Sequence, residues 1–338
     1  MSENKAMSAV RLSAVVPCYN EEESLPLFFD ELMRVFAELR AQEGRSAWTL
    51  ELVLVDDGSF DGTLAVMKGL AARALEHMEV RWLSFSRNFG KEAALYAGLQ
   101  HATGDLVATM DADMQDPPSL LPQMIETLER EGADSVGTRR VSRTGEPPIR
   151  SFLARMFYKL INRISTADIV DGARDFRLMR RPVVDAILQL GEYNRFSKGI
   201  FGWVGFKNVW IPYENVERVA GESKWNVFKL FLYAFDGIAA FSTVPLSIAS
   251  VAGVLLCLVA FVAVVFIIVR AAMFGDPVSG WPSLACIITF IGGVQLLCLG
   301  IIGQYLAKTY LETKRRPLYL IRETNAEGAD ACSGIKGV

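Results

Sequence analysis

The sequence predicts an α/β domain built on a mostly parallel β-sheet, followed by a hairpin of two transmembrane helices. Strand-like and helix-like patterns alternate from residue 10 to about residue 215, which is typical of a parallel sheet with helices on both faces. Short clusters of acidic and polar residues follow several of the predicted strands. Two uncharged runs then cover 241–269 and 277–307, and each exceeds the roughly 20 residues that span a bilayer as a helix.

The elements of the α/β domain are short apolar strands and helices with apolar residues at helical spacing. Strands are predicted at 12–16, 50–55, 80–85 and 106–110, and helices at 25–39, 63–74 and 92–102. Ligands of such sheets bind beyond the carboxyl ends of the strands. The polar clusters at 17–21, 56–59 and 111–113 come directly after strands, so they are the first candidates for a binding site.

The charges around the apolar runs predict the orientation of the hairpin. We expect helices at about 241–269 and 283–307. Lysine and arginine lie outside them, at Lys224, Lys229, Lys308, Lys314, Arg315 and Arg316. We expect a multi-pass protein of the inner (cytoplasmic) membrane, oriented by the bias of positive charge towards the cytoplasm. Both termini and the α/β domain would be cytoplasmic, and no apolar targeting segment is expected at the start. A pair of buried core helices is the alternative.

Composition excludes several classes of function. The net charge of −3 argues against a nucleic-acid partner. The two histidines make a histidine-based zinc site improbable, and the five cysteines lack the spacing of a metal or disulfide framework. A dinucleotide-binding fold would have a Gly-x-Gly-x-x-Gly loop after its first strand. Here that strand is followed by Pro-Cys-Tyr-Asn-Glu, and there is no P-loop.

The segment MDADMQDPP at 110–118 places three carboxylates close together, directly after a predicted buried strand. Like charges this close repel, and one of the acids should resist ionisation. A cation is therefore expected beside Asp111, Asp113 and Asp116. Asp116, followed by two prolines, is also a good start signal for the next helix.

Six motifs in order resemble one known family. They are Pro17-x-Tyr-Asn-Glu-Glu22, Asp56-Asp-Gly-Ser-x-Asp-Gly-Thr63, Asn88-Phe-Gly-Lys-Glu92, Asp111-Ala-Asp-x-Gln-Asp-Pro-Pro118, Asp175-Phe-Arg-Leu-Met179 and Arg218-x-x-Gly-x-Ser-Lys224. The chain resembles family 2 inverting glycosyltransferases with the GT-A (Rossmann-like) fold. Within them it is similar to the polyprenyl-phosphate subgroup related to dolichol-phosphate mannose synthase. The resemblance covers nearly the whole chain, including the paired apolar runs.

The resemblance implies a domain organisation. Residues 1–218 would be a cytosolic GT-A glycosyltransferase domain and 219–240 an interfacial amphipathic helix. The transmembrane hairpin would occupy 241–307. Residues 308–338 would be a cytosolic tail, disordered at its end.

The resemblance also implies a metal and a donor site. Mg²⁺ or Mn²⁺ would bind Asp111, Asp113 and Gln115, with Asp111 on either the metal or the ribose. The nucleotide sugar would contact Pro17, Tyr19, Asn20, Glu21, Asp56, Asp57, Lys91, Asp111, Ala112, Arg139 and Arg195. Asp56 and Asp57 could instead only form the turn, and Lys91 could be solvated.

The acceptor implied by the resemblance is polyprenyl (undecaprenyl) phosphate, which a membrane anchor suits. Its phosphate would meet Arg139, Arg150, Arg155, Ser223 and Lys224. Asp175 and Arg177 are the catalytic candidates, and Asp175 would act as a base or orient the phosphate. Here Arg174 replaces the glycine common in the family, which leaves the loop geometry open and Asp171 as a rival. A helix over 149–164 would lie on the bilayer or pack on the sheet.

The predicted activity is transfer of a hexose, from UDP by preference, to a polyprenyl phosphate with inversion, for cell-envelope glycan modification. The oligomeric state is left open, with a homo-oligomer among the expected partners. One alternative is a processive polysaccharide synthase, which shares the metal and nucleotide sites. Another is a non-catalytic membrane partner of a lipid-sugar flippase, although the acids are intact at every motif.

Overall fold

Eight strands form one sheet in the part of the chain that the structure, a computed structural model, describes, namely residues 10–73, 76–140, 170, 172–213, 244–274 and 280–326. The strands are β1 Arg11–Cys18, β2 Thr49–Asp56, β3 Met78–Phe85, β4 Leu106–Thr109, β5 Ser135–Arg140, β6 Ala173–Arg180, β7 Asn208–Tyr213 and β8 Ile321–Thr324. Their order across the sheet is β7-β5-β6-β4-β1-β2-β3-β8.

Helices alternate with the strands, as predicted, and two long helices follow β7. They are α1 Ser24–Arg40, α2 Thr63–Ala71, α3 Lys91–His101, α4 Leu121–Arg130, α5 Arg181–Gln189, α6 Ser197–Trp203, α7 Val244–Phe274 and α8 Trp281–Thr313. A short 3₁₀ turn, Pro118–Leu120, precedes α4. The predicted α/β class is confirmed, and the predicted strands and helices lie within a few residues of the observed ones.

The parallel register aligns the polar loops at one edge of the sheet. Strand β1 pairs in parallel with β2 and with β4, so that Cys18 lies opposite Asp56 and Val15 opposite Thr109. All three strands therefore end at the same edge. The segments that follow them, which carry the first, second and fourth motifs, are brought together there.

Two apolar layers hold the sheet between helices. Alternate strand residues point to opposite faces, so Ala14 and Val16 pack with helix α1, while Val15 packs with α3. The layer between α3 and the sheet has room only for small residues. A Cβ at Gly98 on α3 would lie 2.2 Å from a methyl carbon of Val15. This close packing places the first residue of α3, Lys91, directly over the edge where the polar loops meet.

The two long helices α7 and α8 are the predicted apolar pair. By length and composition alone, each is able to cross a membrane, with candidate spans at Leu246–Ala263 and Phe290–Thr313. Large apolar side chains stand exposed along both helices, among them Phe266 at 64% and Leu296 at 71%. The predicted interfacial helix at 219–240 lies outside the described residues.

After α8 the chain returns to the sheet, a feature absent from the sequence prediction. Strand β8 pairs antiparallel with β3, with Leu83 opposite Thr324. Tyr319, only 4% exposed, stacks on Phe85 with ring centroids 5.0 Å apart, and its hydroxyl donates to Gln100 Oε1 at 2.8 Å. The segment after the second apolar helix is thus part of the domain's core.

A second contact joins the end of α8 to the domain. Glu312 Oε1 accepts the backbone N–H groups of Tyr193 and Asn194, at 2.8 and 3.2 Å. The end of the apolar hairpin is therefore held by a carboxylate on one side and by β8 on the other.

Tyr319→Ala should destabilise the domain, because it removes a buried aromatic ring from the core. We expect a loss of about 3 kcal/mol in the free energy of unfolding, in the range for large-to-small core substitutions. Tyr319→Phe should lose only about 1 kcal/mol, the value of one hydrogen bond. Denaturant unfolding of the full chain in detergent measures both.

Tyr310→Ala is the control for Tyr319, because its side chain on α8 is 58% exposed. Equal unfolding midpoints for the Tyr310 and Tyr319 alanine variants would show that the returning segment adds nothing to the core.

Candidate active site

A cleft of about 350 Å³ lies where β1, β2 and β4 end. Its lining combines the loop after β1, the Asp-Asp loop after β2, the start of α3 and the acidic loop after β4. The residues are Pro17, Cys18, Tyr19, Glu21, Asp57, Asn88, Gly90, Lys91, Ala94, Asp111, Ala112 and Asp113. Eight of these were predicted for the site from the sequence, so tertiary structure brings most of the predicted donor set together.

Lys91 is the cation that the crowded acids require. Its Nζ donates to Asp111 at 2.8 Å and to Asp175 Oδ2 at 2.7 Å. Burial works to lower the pKa of Lys91, but the two carboxylates outweigh it and raise that pKa above its ordinary value. Lys91 therefore stays charged and links an acid after β4 to an acid on β6.

Asp175 is held ionised at the junction of β4 and β6. Burial works to raise its pKa, but Lys91 above all, with Lys198 and Arg174, brings the pKa well below its usual value. Thr109 Oγ1 donates to the backbone carbonyl of Asp175 at 2.5 Å and fixes the strand locally. A carboxylate with such a low pKa is a poor general base at neutral pH and a good electrostatic or orienting group.

The two acids after β2 have different surroundings. Asp56, 1% exposed, accepts from Ser59 N and Ser84 Oγ and does not line the cleft. Asp57 lines the cleft and accepts the N–H groups of Phe89 and Gly90, at 2.7 and 2.9 Å. Burial raises the pKa of Asp57 against those hydrogen bonds. Of the pair, Asp57 is the one within reach of a ligand in the cleft.

Gly58 lets the Asp-Asp loop and the third motif pack closely. Its φ is +69°, and a Cβ there would lie 2.5 Å from the backbone carbon of Arg87. A side chain at this position would force apart the two loops that form one wall of the cleft.

The residues of the loop after β1 have two different roles: one supports the neighbouring loop and another faces the cleft. Asn20, at φ 59°, receives the Phe60 N–H on Oδ1 and donates its own N–H to Ser59. Asn20 therefore braces the Asp-Asp loop and is outside the cleft lining. Tyr19 faces the cleft and is 42% exposed, with the Phe60 ring edge-on at 6.3 Å.

Arg174 organises the acidic loop, a role that sequence reasoning missed. Its Nη2 donates to Gln115 Oε1 at 3.2 Å, its Nε donates to Tyr213 Oη at 3.1 Å, and the same Nε lies 3.4 Å from Asp116 Oδ1. The Tyr213 hydroxyl also donates to Asp116. Burial raises the pKa of Asp116 despite Arg174. The arginine in place of the family's glycine was the only sequence signal for this network.

The acidic loop suits a cation shared with a phosphate ligand. Within the described ranges no group of three or more His, Cys, Asp or Glu residues is placed to hold a metal alone. Mg²⁺ and Mn²⁺ are, however, satisfied by one or two carboxylates when phosphate oxygens complete the shell. Asp111 and Asp113 are the carboxylates of the acidic loop that line the cleft, while the Gln115 amide oxygen is bonded to Arg174. The donor set therefore fits a metal brought with a nucleotide diphosphate.

The remaining predicted residues lie apart from the cleft lining. Arg139 is exposed on β5 opposite Ala173. Arg195 donates to the Leu190 carbonyl and lies over the Tyr96 ring at 4.4 Å. Arg177 lines a second cavity. Arg150, Arg155, Asp171, Ser223, Lys224 and the segment 149–164 lie outside the described residues, and their roles stay predictions.

Glu92 is a buried acid that the sequence analysis did not assign. It follows Lys91 on α3 and accepts both the N–H and the hydroxyl of Ser197, at the start of α6. Burial raises the pKa of Glu92. This contact fixes α6 against α3, and so fixes Lys198, which follows Ser197, near Asp175.

The family profile described as Glycosyl transferase family 2 matches residues 13–188. A protein of Shigella phage SfX named bactoprenol glucosyl transferase is 44% identical over 313 residues, covering 93% of this chain and 99% of that protein. A Bacillus subtilis protein named putative glycosyltransferase CsbB is 42% identical over 319 residues, covering 94% and 93%. A solved mannosyltransferase from Pyrobaculum calidifontis, in complex with GDP-Man and Mn²⁺, is 20% identical with a TM-score of 0.43, covering 90% and 86%.

Arg174→Ala should destabilise the fold, because it leaves the buried Asp116 carboxylate without its cation. We expect a loss of about 3 kcal/mol in the free energy of unfolding. The pKa of Asp116, already raised, should rise further. A carboxyl group whose pKa is raised in the folded state destabilises the fold as the pH rises through that pKa. The difference in the free energy of unfolding between Arg174→Ala and wild type should therefore become smaller as the pH falls towards 4.

The double variant Arg174→Ala/Asp116→Asn is the matched test of this cause. It should recover most of the loss and show little pH dependence in denaturant unfolding. If the double variant is no more stable than Arg174→Ala, the Asp116 carboxylate is not the source of the effect.

Proposed function

We propose that this chain, which belongs to glycosyltransferase family 2, transfers one hexose from a nucleotide sugar to a polyprenyl phosphate with inversion at the sugar carbon. Membership follows from the profile match and from relatives at 42–44% identity over nearly the whole chain. The chain is therefore a glycosyltransferase. The name of the phage relative favours glucose as the sugar and bactoprenol as the lipid of the acceptor, and glucose would arrive on UDP.

One observation carries the proposal: Lys91 joins Asp111 of the donor cleft to Asp175 on β6. The acid predicted for the donor side and the acid predicted for the acceptor side thus lie within reach of a single ammonium group. A sugar held in the cleft would have its reacting carbon at this junction. Inversion then requires an attacking oxygen beside Asp175 to approach that carbon from the side away from the diphosphate.

The proposed transfer reaction requires little proton transfer by the protein. A phosphate monoester is already anionic near neutral pH, so its oxygen attacks without a strong base. The task is to position two anionic substrates and stabilise the leaving diphosphate. In the proposal, Tyr19 and Asp57 hold the nucleoside, Lys91 faces the diphosphate, and the ionised Asp175 orients the acceptor.

A divalent metal would bind Asp111 and Asp113 together with the diphosphate. It would neutralise negative charge on the departing nucleoside diphosphate. Gln115 joins the metal only if it leaves Arg174, so the sequence prediction of Gln115 as a ligand stays open. The choice of Mg²⁺ or Mn²⁺ stays a proposal as well.

Membrane anchoring completes the proposal. Helices α7 and α8 would form the multi-pass anchor in the inner membrane, with the catalytic domain and both termini in the cytoplasm. The return of the chain through β8 supports placing the end of α8 on the same side of the bilayer as the catalytic domain. An acceptor phosphate at the bilayer surface would then lie near the domain.

The transfer assay tests the proposal directly. Detergent-solubilised protein is incubated with Mn²⁺, undecaprenyl phosphate and a panel of UDP- and GDP-sugars, and the lipid fraction is read by mass spectrometry. We expect one lipid to gain a single hexose mass. Asp113→Ala should lose this product, whereas Asp30→Ala, at a 65% exposed position on α1, should keep it.

Two outcomes of this assay contradict the proposal. Polymer in the product would indicate a processive synthase. Absence of any lipid product while Mn²⁺-dependent nucleotide binding is retained would indicate another acceptor or a non-catalytic role.

Lys91→Met should reduce turnover, because it removes the charge while it keeps most of the length of the side chain. Asp111 and Asp175 would lose their shared cation, and the diphosphate would lose a stabilising charge. We expect kcat to fall about 100-fold, the scale for removing one electrostatic contact to a transition state. Lys68→Met, at a 44% exposed site on α2, is the charge-matched control. A kcat within twofold of wild type for Lys91→Met would remove Lys91 from the mechanism.

A further inference from the structure

A second cavity, of about 260 Å³, adjoins β6 and is distinct from the donor cleft. Three cationic side chains line it: Arg174, Arg177 and Lys198. Its apolar wall includes Phe206 and Trp210. The sequence analysis named Arg177 as a catalytic candidate and assigned no ligand to Arg174 or Lys198.

Arg177 is the unusual member, because it is a buried cation with neutral partners. Its side chain is 2% exposed, and Nη1 donates to Ser135 Oγ and Asn208 Oδ1, each at 2.8 Å. Its Cζ lies 4.6 Å and 4.7 Å from the ring centroids of Phe201 and Trp210. Nε has no hydrogen-bond partner within the part of the chain that the structure describes.

The guanidinium group lies close to two aromatic rings, and among the described residues it forms no ion pair. Asp175, two residues away on β6, is the carboxylate that acts on it electrostatically. The rings and the neutral acceptors compensate the charge only in part. Burial accordingly lowers the pKa of Arg177 to about 10. An anion in the cavity would supply the missing counter-charge and a partner for Nε.

The cavity adjoins Asp175, because Arg174 and Arg177, which flank it on β6, both line the cavity. Asp175 and Arg177 are two residues apart on β6, so their side chains share one face of the sheet. Asp175 contacts Lys91 of the donor cleft, and Lys198 of the cavity is among the charges that lower the pKa of Asp175. An anion bound at Lys198 would therefore lie close to Asp175, the carboxylate that Lys91 connects to the donor cleft.

We propose that this cavity receives the phosphate monoester of the lipid acceptor, with Arg177 and Lys198 as its cationic ligands. The inference rests on the proposed function and names the acceptor subsite within it. A phosphate monoester binds arginine and lysine through charge-assisted hydrogen bonds. The aromatic wall suits the first carbons of a hydrocarbon chain. Arg174, already paired with Asp116, closes the side of the cavity towards the acidic loop.

Binding of a short soluble acceptor tests the subsite. Calorimetric titration of the full chain in detergent uses geranyl phosphate, with geraniol and inorganic phosphate as partial ligands. We expect geranyl phosphate to bind, inorganic phosphate to bind more weakly and geraniol not to bind. Lys198→Gln should raise the Kd of geranyl phosphate and of inorganic phosphate at least tenfold. It should leave the Kd of Mn²⁺–UDP within twofold of wild type.

Two further variants separate this role from a general loss of structure. Arg177→Lys keeps the positive charge but loses the planar guanidinium group. It should also raise the Kd of geranyl phosphate at least tenfold. Arg130→Gln, at a 61% exposed position on α4, removes one positive charge elsewhere and should bind as wild type. In turnover assays, Lys198→Gln should raise the KM for undecaprenyl phosphate at least tenfold and leave the donor KM unchanged.

The outcomes distinguish this inference from the proposed function. Suppose that both cavity variants transfer sugar to undecaprenyl phosphate as wild type does, with unchanged KM and Kd for the acceptor. That result would overturn the proposed subsite and leave the proposed function intact. Loss of Mn²⁺–UDP binding instead of geranyl phosphate binding would place a donor phosphate in the cavity and also overturn it. If the wild type transfers no sugar but binding of geranyl phosphate depends on Lys198, the subsite stands and the reaction fails.

Discussion

The ion pairs of Lys91 with Asp111 and Asp175 are the interaction on which the rest of the site depends. The two carboxylates belong to different strands, one at the end of β4 and one within β6. Without a cation between them they would repel at close range. Lys91 removes this conflict because α3 begins directly above the sheet edge, where small residues allow it to pack closely on β1. The electrostatics of the site thus depend on a packing feature in the core.

Strand β6 distributes its residues between two tasks. Arg174 and Phe176 share one face, where Arg174 secures the acidic loop and Phe176 is buried in the α1 layer. Asp175 and Arg177 share the other, where one meets the donor cleft and the other lines the second cavity. A single strand therefore sets the acidic loop, the proposed orienting carboxylate and the proposed acceptor subsite in fixed register. A slip of one residue would exchange the two faces.

The end of the apolar hairpin is fixed to this same framework. Glu312 binds the loop before α6, and β8 completes the far edge of the sheet beside β3. Helix α6 in turn carries Lys198 and is attached to α3 through Glu92. The proposed acceptor subsite is thereby linked through a few hydrogen bonds to the residues that follow the second candidate span. In the proposed function, this linkage would present the cavity at a set height above the bilayer.

The sequence by itself determined the strand–helix alternation, the edge of the sheet that carries the site and the pair of long apolar helices, because these follow from local periodicity and from the direction of parallel strands. It also identified Asp57, Lys91, Asp111 and Asp113 through short motifs that fold as local loops. Only the tertiary structure decided that Asp57 rather than Asp56 faces the cleft, that Lys91 bridges two acids, and that Arg174 holds Gln115 and Asp116. It also decided that residues 321–324 form an edge strand. Each of these depends on contacts between segments tens to hundreds of residues apart, and local patterns carry no information about such pairings.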